Sequence, residues 1–131
     1  MANVTIGTKG EFKMLVTNEV AIDFLGMEEA RVLGTPWLIA HLEFTCRNSV
    51  KLLLDEGYDT VGTHVDVHHL AATPMGMQVI FQSELVGMEG SRLRFKVEAF
   101  DERDKVAEGT HERAIINVAK FATRLQAKLA G

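Results

Sequence analysis

One change of hydrophobic period, near Thr60, constrains this chain more than anything else in it. Upstream, apolar residues recur at helical spacing; downstream, they alternate with polar ones as far as Ile116. Such a chain carries one long helix early and a run of strands late. The helix is expected to start at Thr35-Pro36, with threonine as N-cap and proline pre-set for the first helical position. It should run from about Pro36 to about Asp55 and stop before Gly57. Strands are expected over 60–70, 77–88, 92–100 and 106–116, with turns at Pro74/Gly76, Glu89-Gly90-Ser91 and 101–104. Alternation is cleanest over 92–100, where Leu93, Phe95, Val97 and Ala99 share one face and Arg92, Arg94, Lys96 and Glu98 the other. Residues 11–17 read as a further strand, with Phe12, Met14 and Val16 on one side. Residues 18–34, which include Phe24, Leu25, Met27 and the pair Glu28-Glu29, read as a loop with a short helical turn closed by Gly34. Asn117 can cap a final helix with Val118, Phe121, Ala122, Leu125 and Leu129 on one stripe. The simplest burial of all these apolar faces is α+β: a four-strand antiparallel meander, joined by the first strand, curved across the long helix.

Composition narrows what such a domain does. The 131 residues suit one domain, 1–131, and the 47% hydrophobic content is enough for a core. The net charge of −4 argues against nucleic acid as a partner, because phosphate contacts need a basic surface. No apolar run approaches the length of a membrane span, and residues 1–10 lack the apolar stretch of a secretory signal. The lone Cys46 excludes an internal disulfide and a cysteine-based zinc cage, so a reducing cytoplasm is the expected setting. Domains this small often complete their core by oligomerising.

The helix carries an acid on its apolar side. At about 100° per residue, Ile39, Ala40, Cys46, Val50 and Leu54 fall within about 60° of Glu43, while His41, Thr45 and Asn48 lie opposite. Glu43 is thus expected in the middle of the stripe that meets the sheet. A carboxylate there is costly unless paired or functional, and burial would raise its pKa toward acid–base work. The plainer alternative is an ion pair with Arg47, one turn on. Cys46, on the same stripe, reads as core filler. Strand parity places Val65, Val67 and His69 on one face and His64, Asp66 and His68 on the other. With the valine face toward the helix, His69 stands on the side of Glu43, as an acid/base partner or as a satisfied buried histidine. The alternating His64, Asp66 and His68 suit a divalent metal, but a polar outward strand face explains them equally, and no metal site is expected.

Four stretches, taken in order, resemble the fluoroacetyl-CoA thioesterase family of hotdog-fold thioesterases. They are Gly34-Thr35 with the following Leu38–Glu43 run, Val61-Gly62-Thr63, His69-Leu70-Ala71-Ala72-Thr73-Pro74, and Gly109-Thr110-His111-Glu112-Arg113-Ala114. The resemblance covers about 11–120. It implies a hotdog fold, acyl-CoA thioester hydrolysis, and catalytic roles for Thr35, Glu43 and His69. It implies a glycine beside the bound acyl group at Gly62 and an arginine beside the active site at Arg113, a residue that otherwise reads as a sheet-face cation. It further implies a homodimer joined sheet edge to sheet edge, with the active site at the interface, and CoA as part of the substrate with no resident cofactor. One departure stands out. The family's fluoroacetyl-specific member has an aromatic lid just before its catalytic threonine, whereas 26–33 holds no aromatic residue and Phe24 is the nearest candidate. A short-chain or other acyl-CoA is therefore expected in place of a fluorinated one. Two other readings stay open on the residues alone: a non-catalytic acyl-CoA or small-ligand binding protein, and a hotdog dehydratase or hydratase, which usually carries His-Phe-Pro where this chain has His-Leu-Ala.

Overall fold

The long helix, α1 (Thr35–Lys51), begins one residue earlier than expected and is capped differently. Gly34 is its N-cap, accepting from the Leu38 amide at 3.0 Å through its carbonyl. A Cβ on residue 34 would lie 2.7 Å from the Trp37 ring, so close packing demands glycine there. Thr35 is therefore not the cap, and its hydroxyl is free for other work. The helix ends at Lys51, short of Asp55. Its buried residues are Leu38, Leu42, Thr45, Cys46 and Val50. That stripe is centred near Leu42, so Glu43 sits at its margin and not in its middle. Thr45, expected on the opposite side, is buried because its hydroxyl is satisfied by the His41 carbonyl at 2.7 Å. A wheel gives the apolar stripe but not which of its two rims the sheet covers. Here the rim carrying Trp37 and Phe44 stays open, with Phe44 53% exposed.

The computed structural model describes residues 3–24 and 26–131. Before α1 come β1 (Lys9–Leu15), β2 (Ala21–Ile22) and β3 (Val32–Leu33), with single 3-10 turns at Asn18–Val20 and Glu28–Ala30. Leu25, read from sequence as part of this loop, lies outside the described residues. Buried Arg31 ties the segment down through the Asn18 side chain, the Asn18 carbonyl at 3.1 Å and the Ala21 carbonyl at 3.3 Å. After α1 come β4 (Tyr58–His69), β5 (Gln78–Glu89), β6 (Arg92–Phe100), β7 (Lys105–Asn117) and α2 (Val118–Ala130). The Asn117 side chain caps α2 by accepting from the Lys120 amide at 3.0 Å, as expected. The apolar stripe of α2 is not buried.

The main sheet is antiparallel with order β1-β5-β6-β7-β4. This corrects the four-strand meander: only β5, β6 and β7 follow one another, while β4 lies beyond β7 at the far edge. Alternation identifies strands but not neighbours, and the signal it lacked is a crossing. Residues 70–77 carry the chain from β4 to β5, pinned by the Leu33 amide on the Thr73 carbonyl at 2.9 Å and by the Thr73 hydroxyl on Asp101 at 2.9 Å. The core forms where Val79, Phe81, Leu85, Leu93, Phe95, Val97 and Ala99 meet Leu38, Leu42, Cys46 and Val50. Each large side chain buried there contributes about 1.5–3 kcal/mol. Cys46 is core filler as read: burial pushes its thiol up to about 12. No helix among the described residues is long and apolar enough to cross a membrane.

Candidate active site

A β-bulge decides which residues of β4 face α1. Gly62 pairs with Arg113 and His64 with Glu112, leaving Thr63 as the extra residue. Parity therefore inverts at Thr63. Thr60 and Gly62 face the helix before it; Val65, Val67 and His69 face it afterwards, opposite His111, Gly109 and Ala107 of β7. Without the bulge, Gly62 and His69 would lie on opposite faces. His64, Asp66 and His68 point outward and are exposed.

At the far end of β4, His69 meets the start of α1. Its Nδ1 lies 2.7 Å from the Thr35 hydroxyl, and its buried Nε2 has no hydrogen-bond partner among the described residues. Burial pushes the His69 pKa down, and a backbone contact at Ala71 opposes this in part. A neutral imidazole bonded to a hydroxyl, with its other nitrogen free, suits proton transfer. These two residues line a cleft of about 340 Å³ with Ile22, Leu33, Leu70 and Ala71.

Glu43 stands further along α1, eight residues or about 12 Å of helix rise from Thr35. It does not pair with Arg47. That guanidinium closes on Asp59, at 3.0 and 2.6 Å, and holds the Asp59 carboxyl down at about 2. Glu43 instead looks onto β4 and β7. Its Oε1 is 3.7 Å from both His111 Nε2 and Arg113 Nη1, outside hydrogen-bond range. Among the described residues it accepts no hydrogen bond, and its side chain is 34% exposed. A Cβ on residue 62 would lie 2.7 Å from that oxygen, so Gly62 is the space the carboxylate occupies. Arg113 is buried and not a surface cation: its Nε donates to the Thr60 hydroxyl at 2.7 Å and its Nη2 to the Thr60 carbonyl at 2.8 Å. Glu43, Gly62 and Arg113 line a second cleft of about 430 Å³ with Ala40, Phe44 and Thr60.

The structure thus gathers the five residues into two groups: Thr35 with His69, and Glu43 with Gly62 and Arg113. It adds His111, which carried no role in the sequence reading. The available signal was parity, since His111 and Arg113 share one face of β7. The cleft residues can move a proton, supply a carboxylate and hold negative charge beside a fixed cation, which are the requirements of acyl transfer.

Comparison with known proteins agrees with this chemistry. The family model for FlK, described as a fluoroacetyl-CoA-specific thioesterase, matches residues 16–119. The fluoroacetyl-CoA thioesterase of Streptantibioticus cattleyicolor is 37% identical over 101 residues, covering 77% of this chain and 73% of that protein. A phenylalanine-to-alanine variant of FlK, solved in complex with fluoroacetate and CoA, superposes with a TM-score of 0.81 at 31% identity, over 90% of this chain and 99% of that one. A hot-dog-like protein of Thermanaerovibrio acidaminovorans superposes with a TM-score of 0.87 at 23% identity, over 96% and 93% of the two chains, and shares the fold.

Proposed function

The chain belongs to the fluoroacetyl-CoA-specific thioesterase family, and from that premise we propose that Thr35, Glu43 and His69 carry the hydrolysis of an acyl-CoA thioester to a carboxylic acid and CoA. The observation that carries the reading is the 2.7 Å contact between Thr35 and His69, two residues 34 positions apart for which the family resemblance implies catalytic roles. Glu43 attacks the thioester carbonyl to give an anhydride that water then opens, or it takes the proton from an attacking water. By either route the C–S bond breaks and CoA leaves as a thiolate; the proton given up by the water reaches the sulfur through His69, which is neutral at rest and carries it only in passing. Arg113 supplies fixed positive charge beside the reacting carboxylate, and Gly62 leaves the space in which it moves. The reaction takes CoA as part of the substrate and calls on no resident cofactor. The aromatic-free segment at 26–33 supports an acyl group other than fluoroacetyl. A buried free thiol at Cys46 supports a reducing compartment, the cytoplasm.

The working unit is proposed to be a homodimer. The outer edge of β4, twelve residues long, has no partner strand among the described residues, and Val65 on its helix-facing side is 39% exposed. Beside it, the open rim of α1 presents Trp37 and Phe44. Antiparallel pairing of two β4 edges about a twofold axis near mid-strand sets the His69 end of one strand beside the Thr60–Gly62 end of the other. The Thr35–His69 cleft of one protomer then adjoins the Glu43 cleft of its partner, which completes one site from two halves. Acyl-CoA turnover followed with a thiol reagent tests the assignment. Glu43→Ala and His69→Ala are each expected to lower kcat by about a hundredfold or more; unchanged rates in both variants would remove it.

A further inference from the structure

The group around Glu43 is more ordered than supplying a cation requires. His111 is 1% exposed and stacks on Phe95 at 6.4 Å between ring centres. Its Nδ1 lies 2.8 Å from the His64 carbonyl, which can only accept, so Nδ1 carries the ring proton. Burial pushes the His111 pKa down, and Arg113 pushes the same way, against the His64 carbonyl and the Glu43 charge. The ring is then neutral, and Nε2 offers a lone pair. Arg113 Nη1 stands 3.1 Å from it and can only donate. With Nε and Nη2 on Thr60, the guanidinium is held at all three nitrogens, and it stops 3.7 Å short of Glu43.

The same protein shows what an arginine does when less restrained. Arg47 closes on Asp59 with two hydrogen bonds, and that carboxyl is held far below the usual carboxylate range. A glutamate locked in such a pair would have to break it before attacking a carbonyl or taking a proton.

We propose that His111, as the neutral Nδ1–H tautomer, is a positioning residue that holds Arg113 by its Nη1 and so keeps the guanidinium beside Glu43 but not bonded to it. The proposal rests on the thioesterase reading of the Glu43 site. It assigns the bulge at Thr63 a second task, because the carbonyl that fixes the tautomer belongs to His64, the first residue after it. The groups facing the ring are Glu43 from α1, the His64 carbonyl from β4, Arg113 from β7 and the untitratable Phe95 from β6, while the His64 imidazole points outward and acts on the ring only as a charge. Protonation would set an N–H of His111 against the guanidinium, release Arg113 and turn His111 toward Glu43. Activity therefore falls as His111 takes up its second proton.

The test compares His111→Asn, His111→Gln and Glu43→Gln with the parent in acyl-CoA turnover against pH, alongside long-range proton–nitrogen spectra of the parent's histidines. His111→Asn keeps a donor for the His64 carbonyl but falls short of Arg113. It is expected to lower kcat by about tenfold or more, with KM changed by less than about threefold and an altered acid limb. His111→Gln puts an acceptor back within reach of Arg113 and is expected to recover most of that loss. The spectra should show His111 neutral with its proton on Nδ1 at about pH 7.5. A folded His111→Asn with the parent's kcat and pH profile overturns the proposal, as does a spectrum with the proton on Nε2. Should neither histidine variant fold, the parent's spectrum decides. An inactive Glu43→Gln beside a fully active His111→Asn refutes the role of His111 alone; a fully active Glu43→Gln refutes both readings.

Discussion

Gly62 and Thr35 are each defined by what their side chains do not do. A methyl group at residue 62 would press on the Glu43 carboxylate at 2.7 Å. Gly62→Ala is therefore expected to cut kcat/KM by about tenfold or more, with Tm within a few degrees of the parent, measured by turnover and thermal melting. Thr35 does not cap α1, since Gly34 does. Thr35→Ala should leave Tm nearly unchanged, where loss of a true cap would cost about 1 kcal/mol, and should still remove most of the rate. Thr35→Ser should restore it. Buried His111 and half-buried His69 also set a pH dependence of stability. Burial holds the folded-state pKa of His69 and His111 below their ordinary value of 6.5. Between the folded and unfolded values the unfolded chain binds more protons, so stability is highest above about pH 6.5 and falls as pH drops through that window. Melting curves from about pH 8 to pH 5 check the sign, and His111→Gln should flatten part of the fall.

At the scale of elements, strands and the long helix were legible because their apolar periods are clean: β6 occupies the residues expected, and the Asn117 cap of α2 follows from its side chain. The position of β4 in the sheet was not legible, because nothing in an alternating pattern says that residues 70–77 cross to the far side. The bulge was hidden for a related reason. Thr63 looks like any strand residue, yet it inverts parity and lets Gly62 and His69 share a face. Glu43 was found as a charged intruder on an apolar stripe, although its place at the margin depended on which rim the sheet covers. His111 was missed because a histidine between polar neighbours on a strand reads as outward until the face of Arg113 is known. Deleting Thr63 would leave Gly62 and His69 on one face, six positions apart, but would remove the bend and twist that the bulge gives β4 and that aim Gly62 and the His64 carbonyl into the site. The variant is expected to lose activity and several degrees of Tm together, measured by turnover and melting.

At the scale of the whole molecule, the long helix and the main sheet leave both site clefts open, the outer β4 edge unpaired among the described residues and a rim of α1 exposed. A second copy paired edge to edge, as proposed, would cover these features and bring the clefts together. Phe44→Asp places a charge on the open rim without touching the core. It is expected to shift the protein toward monomer in sedimentation experiments and to lose activity while the monomer stays folded. The central claim, a thioester-hydrolysing site built from two halves, is tested most directly by mixing two inactive variants. Glu43→Ala and His69→Ala homodimers, exchanged to random pairing, should regain about a quarter of parental acyl-CoA turnover. Half of the dimers are then mixed, and each mixed dimer has one site with both residues intact. Turnover that stays at the level of the separate variants after verified exchange would contradict the account.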